Sequence, residues 1–496
     1  MEAFSLYFIS LLVVFISFSL PFLCHRSDSK KCKLPPGTSG LPLVGETLHF
    51  FYLSGPEKFI HQRMKKYSDE VFATSLIGQN MAVICGAAGN KFLLCTANDF
   101  VSPWLPAVQS RFSNWVVSLG KSRKDVHTKI HGFHQAVIMS PEALKQYIPI
   151  MDSLTRQHLQ TDWDPFQVVK VYPASQKLTL ILACKLVLGL DPDRAQRFSD
   201  SFAVAQQGFF SLPINLPGTT YNRAVKEVEK LKQGFLKIIL ERKKMVLENR
   251  EKAGSDILSR TLLDENVHLL SDLEIALYLV SLMIPSYEPT SSSITFVLKH
   301  LSELPHIYDM VYKGTLRGNK IFFINYSISA GVVRSEQHME IAKSKDPEEL
   351  LNWEDVKKMK YSWNVICEAM RLTPPAIGSY RVAKTDIHFA GITIPKGWKV
   401  LWSPFTTNKN PKYFPEPENF DPTRFEGDGP TPCTFIPFST GPRMCPGKEY
   451  SRFLILVYMY NVVRKFKLQK LIPDEKVLYR GAPYPASGLP MSLQPH

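Results

Sequence analysis

The sequence has little that would suit several common classes of protein. Its eight cysteines are scattered, with no pair at C-x-x-C spacing, which argues against a disulfide framework and for a reducing compartment. A formal charge of +14 would suit nucleic acid, but Lys and Arg are spread along the chain without an arginine-rich tract or nucleic-acid motif. A membrane surface or an acidic protein partner accounts for the charge instead. No basic residue precedes the first apolar stretch, where only Glu2 carries charge. A length of 496 residues exceeds the usual single core, so two subdomains or one large, mostly helical domain both remain open.

Phe4 to Cys24 (FSLYFISLLVVFISFSLPFLC) is uncharged and meets the roughly 20 apolar residues that a bilayer requires. A cleavable signal peptide is the competing reading. It would need a positive n-region and a small-x-small cleavage site, and neither is present. Residues 1–24 are therefore expected to form an uncleaved, single-pass transmembrane anchor. Arg26, Lys30, Lys31 and Lys33 follow the run, so the positive-inside rule places the remainder in the cytosol. Residues 25–45 form a basic and then Pro/Gly-rich hinge, too rich in breakers from Leu34 to Gly45 to continue a helix. Residues 46–496 are left as the globular domain, where any catalytic site would have to lie.

Chemistry concentrates in Phe438-Ser-Thr-Gly-Pro-Arg-Met-Cys-Pro-Gly447, which presents one cysteine on a glycine-bracketed loop just ahead of a helix. Gly441 and Gly447 free the backbone where a side chain would collide with a flat ligand, and Arg443 supplies a fixed cation two residues before Cys445. Amides aimed at the sulfur, together with the start of a helix from Lys448 to Phe466, would favour a thiolate. An ordinary buried cysteine is the bland alternative. The spacing F-x-x-G-x-R-x-C-x-G counts against it, because five positions of ten are specified.

At these residues the chain resembles the cytochromes P-450, the haem-thiolate monooxygenases. Pro442-Arg-Met-Cys-Pro-Gly-Lys-Glu-Tyr450 and the loop Leu216-Pro-Gly-Thr-Thr-Tyr-Asn-Arg-Ala224 are similar to plant triterpenoid-oxidising members, such as those acting at C-28 of β-amyrin. The resemblance implies a mainly α fold with small β-sheets and a haem b cofactor with Cys445 as its axial iron ligand. It also implies a hydrophobic substrate, an NADPH-cytochrome P-450 reductase partner, and an endoplasmic reticulum membrane location. Phe438, Gly441, Arg443 and Gly447 would border the haem, and Arg381 would meet a propionate. Glu368 and Arg371, three apart on one helical face, would join Arg424 in a buried network supporting the cysteine loop. The implied chemistry is reductive activation of O2 and hydroxylation of an unactivated C–H bond.

The remaining chain reads as a helix from Glu57 to Tyr67, β-type runs at Val71–Leu76 and Met81–Cys85, and a Gly-Ala-Ala-Gly turn at 86–89. A broken helical section then runs from Pro141 to about Leu263. Ser271 to Leu304 reads as a long helix opened by a Ser271/Glu274 capping box, and Trp353 to Leu372 as another helix. Strands are expected between Tyr380 and Val400 with turns at Gly391 and Lys396-Gly397, followed at the end of the chain by a loop from Gly481 to Met491.

Three departures stand out. Relatives place a propionate-pairing arginine where Gly132 and Phe133 fall, leaving Lys129 or His131 as substitutes beside the reading of a plain surface histidine cluster. In the long helix the relatives' acid is kept as Glu288, which its apolar and small neighbours would bury with a raised pKa, but the proton-relaying threonine is replaced by Pro289. Thr290 is the expected stand-in, and Pro285 with Pro289 implies a marked kink. Pro289 also keeps open an O2-independent haem-thiolate isomerase or dehydratase, or a degenerate haem protein. Finally, residues 314–335 correspond to nothing in relatives, and their apolar, β-prone run Ile321–Ile328 reads as translated intron rather than a membrane-touching insertion.

Overall fold

The computed structural model describes residues 33–42, 44–106, 139–209, 211, 214–248, 256–264, 270–313 and 338–496. The expected anchor, the Lys129–His134 segment and residues 314–335 lie outside these. The chain divides into two compact units, one built from residues up to Trp104 with 378–407 and 432–434, the other from the remainder.

The first unit is organised by a five-stranded sheet in the order Val71–Leu76, Gln79–Ile84, Lys399–Trp402, Ser379–Ala383, Val101–Pro103. Val71–Leu76 and Gln79–Ile84 form a hairpin closed by two residues, Ile77 and Gly78, both at positive φ. That is the primed turn whose twist matches the strands. The parallel pairing of Gln79–Ile84 with Lys399–Trp402 joins chain segments more than 300 residues apart, which is why no local signal announces it. The described part of the hinge lies along this sheet. Ala73 N–H donates to Pro36 O at 2.8 Å and Glu46 N–H to Ser75 O at 2.7 Å. Gly37 approaches so closely that an added Cβ would lie 1.9 Å from Ala73 O. The stretch expected as a turn at 86–89 is instead the body of a short helix, Gly86–Lys91. The reversal is confined to Gly86, whose φ of +73° performs it alone.

The second unit is mostly helical. Its centre is the helix Lys448–Lys465, buried on every side from Phe453 to Val463 and surrounded by a core that includes Pro141–Asp162, Asp272–Glu303 and Lys360–Leu372. A helix apolar around its whole circumference has to be enclosed in this way. A second apolar cluster joins Val171–Leu188, Thr220–Glu248 and the first half of Asp272–Glu303. Among the described residues, Val171–Leu188 is the one helix long and apolar enough to cross a membrane, and it is mostly packed inside this core.

Asp272–Glu303 opens on the expected capping box, with Ser271 N–H donating to Glu274 Oε2 at 2.8 Å and Glu274 N–H to Ser271 Oγ at 3.3 Å. It stays one continuous helix through Pro285 and Pro289. Each interior proline costs ~3 kcal/mol in an isolated helix, but nearly every residue from Tyr287 to Leu298 is buried, so packing holds the geometry. The helix expected over Trp353–Leu372 is two helices, Trp353–Lys358 and Lys360–Leu372, divided where Met359 leaves the helical region at ψ 47°. The tail expected as a loop carries strands. Val477–Arg480 pairs with Ala482–Pro485, and Pro490–Pro495 lies between Val168–Lys170 and Phe466–Lys470. Its prolines sit in a two-stranded ribbon or at strand ends, where a missing N–H is tolerated.

Arg371 ties this unit together. Nε and one Nη2–H donate to the two oxygens of Glu368 at 2.6 and 2.7 Å. The other three donors reach the carbonyls of Asn408 (2.8 Å), Pro417 (2.7 Å) and Asn419 (3.1 Å). All five guanidinium protons are used, and both side chains are wholly buried. Glu368 Oε1 also accepts from Asp421 N–H at 2.8 Å, and Arg424 Nε stands 3.5 Å away as a looser ion pair. Removing one partner strands a buried charge. Arg371→Ala is therefore expected to lower unfolding free energy by ~3–5 kcal/mol, and Arg371→Lys, with three donors in place of five, by less; urea unfolding of the purified chain would show both.

Candidate active site

The cysteine loop is shaped by its own backbone. Cys445 N–H donates to Phe438 O at 2.8 Å, Ser439 N–H to Ile436 O at 2.9 Å and Met444 N–H to Gly441 O at 3.1 Å, folding the ten-residue motif back on itself. Gly441 supports this at φ +74°, where a side chain would be strained. Phe438 packs against the apolar core and Arg443 is exposed. Cys445 is a free, half-buried thiol two residues ahead of Gly447, the N-cap of Lys448–Lys465. Burial pushes the thiol up, while the Gly447 N–H aimed at sulfur pulls it down; burial prevails. A bound metal's own positive charge would act against that burial and favour the thiolate.

The loop fits haem. Among the described residues, no group of three His, Cys, Asp or Glu could hold a bare metal ion. The single sulfur that Cys445 offers suits an iron whose other ligands come from a porphyrin. A Cβ built at Gly447 would stand 3.9 Å from the sulfur, an ordinary contact, so residue 447 lies directly beside the thiol.

Glu288 is buried, as expected, and burial raises its pKa. Its surroundings were not legible beforehand. Tyr172 O–H donates to Oε1 and Gln176 Nε2 to Oε2 at 3.1 Å, both from the helix Val171–Leu188. Thr290 is also buried, but its hydroxyl donates to Ser286 O at 3.1 Å and meets Ser451 Oγ at 3.2 Å, in the helix that follows the cysteine loop. Glu288 and Thr290 thus face different elements and are not brought into one hydrogen-bonded relay. Tyr172 and Gln176 stand four apart on one helical face, a spacing too common to mark them in a sequence. Ser451 lies six residues after Cys445.

Arg381 belongs to the sheet unit, on Ser379–Ala383 opposite Pro103, where its Nη1 donates to Tyr380 O at 2.9 Å. Lys129 lies outside the described residues.

Comparison with known proteins agrees with this geometry. The cytochrome P-450 family model matches residues 35–318 and 333–480, skipping a stretch inside 314–335. "Beta-amyrin 6-beta-monooxygenase" of Solanum lycopersicum is 47% identical over 507 residues, covering 100% of both chains. "Beta-amyrin 28-monooxygenase" of Medicago truncatula is 45% identical over 493 residues, covering 98% of this chain and 97% of its own. Among solved structures, "Retinoic acid bound cyanobacterial CYP120A1" superposes with a TM-score of 0.77 at 26% identity, covering 94% of this chain and 100% of that one. With its free thiol on the motif loop and a match along nearly its whole length, this chain belongs to the cytochrome P-450 family and is a haem-dependent monooxygenase.

Proposed function

We propose that this enzyme hydroxylates a pentacyclic triterpene of the β-amyrin type at an unactivated C–H bond. The observation carrying this reading is the end-to-end similarity, above 40% identity, to two enzymes named as β-amyrin monooxygenases. Their names specify different positions, 6β and 28, so the class of substrate is proposed and the carbon is left open. Haem, when bound, supplies the oxygen activation and the attack on C–H. The chain's part is to ligate it through Cys445 Sγ, with the Gly447 N–H on the sulfur and Arg381 and Lys129 as candidates for the propionates. Glu288 takes up and releases protons, and Thr290, in place of the usual threonine, holds the hydroxyl nearest to that role. Electrons arrive from NADPH through a reductase, with residues 1–24 anchoring the enzyme in the endoplasmic reticulum and the catalytic domain in the cytosol.

Residues 314–335 are proposed to be translated intron. The interruption of the family match at 319–332 supports this.

Microsomes containing the chain, a plant reductase, NADPH and β-amyrin are expected to yield a product heavier by one oxygen. Conversion without NADPH would instead favour isomerisation. Cys445→Ala should abolish both the thiolate-type Soret band of the reduced, CO-bound enzyme and all turnover. Deleting 314–335 should preserve or strengthen that band. Thr290→Val should leave the band in place but lower product formed per NADPH on the order of tenfold or more, as loss of a proton-transfer group does.

A further inference from the structure

Four acidic side chains are buried among the described residues: Asp152, Glu288, Asp355 and Glu368. Three of them carry a cation. Asp152 has Arg156 at 3.0 Å, Asp355 has Lys345 at 2.9 Å and Glu368 has Arg371 at 2.6 Å. Glu288 does not follow this pattern. Its two oxygens are held by the neutral side chains of Tyr172 and Gln176, while Arg480 acts on it only from beyond ion-pair distance.

The distinction is chemical. Lysine and arginine can only donate, so they lock a buried carboxyl in its ionised form. A phenol and a primary amide can each donate or accept. Facing the carboxylate, Tyr172 O–H and the Gln176 amide N–H both donate. Facing the protonated acid, either can turn an oxygen lone pair toward its O–H. The pocket therefore satisfies both protonation states without moving the backbone.

We infer that Tyr172 and Gln176 are positioning residues that orient Glu288 and set its proton affinity, making it a carboxyl that can gain and lose a proton within the protein interior. This rests on the reading of Glu288 as the proton-handling acid. The groups facing the carboxyl are Tyr172 from Val171–Leu188, Arg480 from Val477–Arg480 and Tyr287 from its own helix. Tyr172 in turn stacks on Tyr484 with ring centroids 5.9 Å apart, and the Tyr484 hydroxyl accepts from Arg480 Nη2 at 3.2 Å. The phenol ring is thereby held from behind, which keeps its hydroxyl beside the carboxyl while leaving the O–H free to rotate. A hydrogen bond to the charged form favours that form. Loss of the Tyr172 donor should accordingly raise the proton affinity of Glu288.

The test uses the full-length holoenzyme in microsomes with reductase, and the purified holoenzyme for infrared difference spectroscopy. Two readouts are followed across pH: product formed per NADPH, and the carbonyl stretch of a protonated carboxylic acid. Glu288→Gln should remove one carboxylic-acid band and flatten the pH dependence of coupling. Tyr172→Phe should move the midpoint of both upward by about one pH unit, a tenfold rise in proton affinity, with the CO-bound band unchanged. Gln176→Leu should move them in the same direction without touching the aromatic stack. If Glu288→Gln acts as expected while both Tyr172→Phe and Gln176→Leu leave the midpoints in place, the positioning role is overturned and the reading of Glu288 stands. If Glu288→Gln alters neither coupling nor its pH profile, the proton-handling reading fails, and this inference with it.

Discussion

The demand of one buried guanidinium for five acceptors shapes the larger unit. Arg371 has no water to turn to, so each of its N–H groups must find an oxygen, and only two of these come from a side chain. The other three are carbonyls of residues 408, 417 and 419, contributed by a segment without regular secondary structure. An irregular segment has few hydrogen bonds of its own to fix it. Here an arginine takes the place of a ladder, and Asn408 returns the contact by donating through Nδ2 to Arg371 O at 3.1 Å. Phe414 closes the arrangement, its ring centroid 5.1 Å from the guanidinium carbon. The chain then runs on to the cysteine loop.

The long helix Asp272–Glu303 solves a different problem of satisfaction. Its buried middle carries a row of hydroxyls, each of which would be costly if left unpaired. Ser286, Thr290, Ser291, Ser293 and Thr295 all donate to a carbonyl three or four residues earlier in the same helix. Such back-bonding normally bends or weakens a helix slightly. It makes the row self-sufficient, so these side chains need nothing from the surroundings. Two depart from that pattern. Ser292 reaches out to Pro483 O at 2.7 Å, and Thr290 adds Ser451 to its internal bond. The helix is thereby stitched to the terminal hairpin on one side and to the helix following Cys445 on the other.

Much of the architecture was legible because its signals are local. The Ser271/Glu274 box, the motif around Cys445 and the Glu368/Arg371 spacing each depend on residues within ten positions, and a physical rule translates each directly. What escaped was set by distant partners or by composition that misleads. The proline-rich end looked like a loop because proline is a poor strand former, yet Pro490 and Pro495 occupy the two ends of their strand and Pro483 and Pro485 lie in a two-stranded ribbon. Gly86-Ala-Ala-Gly89 looked like a turn because two glycines usually mark one, whereas only the first was needed for it. At Glu288, burial was readable from its neighbours. The identity of its donors was not, since Tyr172 lies 116 residues earlier on a helix whose pattern reads only as apolar core.

Pro289, expected from the family resemblance to stand where a threonine is usual, has two effects in such a helix. A proline removes a hydroxyl and a backbone donor together, and in an exposed helix the second loss would dominate. Here the helix is enclosed and stays continuous, so the structural cost is absorbed and the chemical change remains. The acid one position earlier is held by neutral donors, and the hydroxyl one position later is shared with Ser451. Acid and alcohol are thereby separated onto two faces of the helix, each with its own partner. With the roles proposed for Glu288 and Thr290, proton storage and hydroxyl donation are then distinct functions rather than one relay, so the two would be altered independently by substitution at Tyr172 and at Ser451.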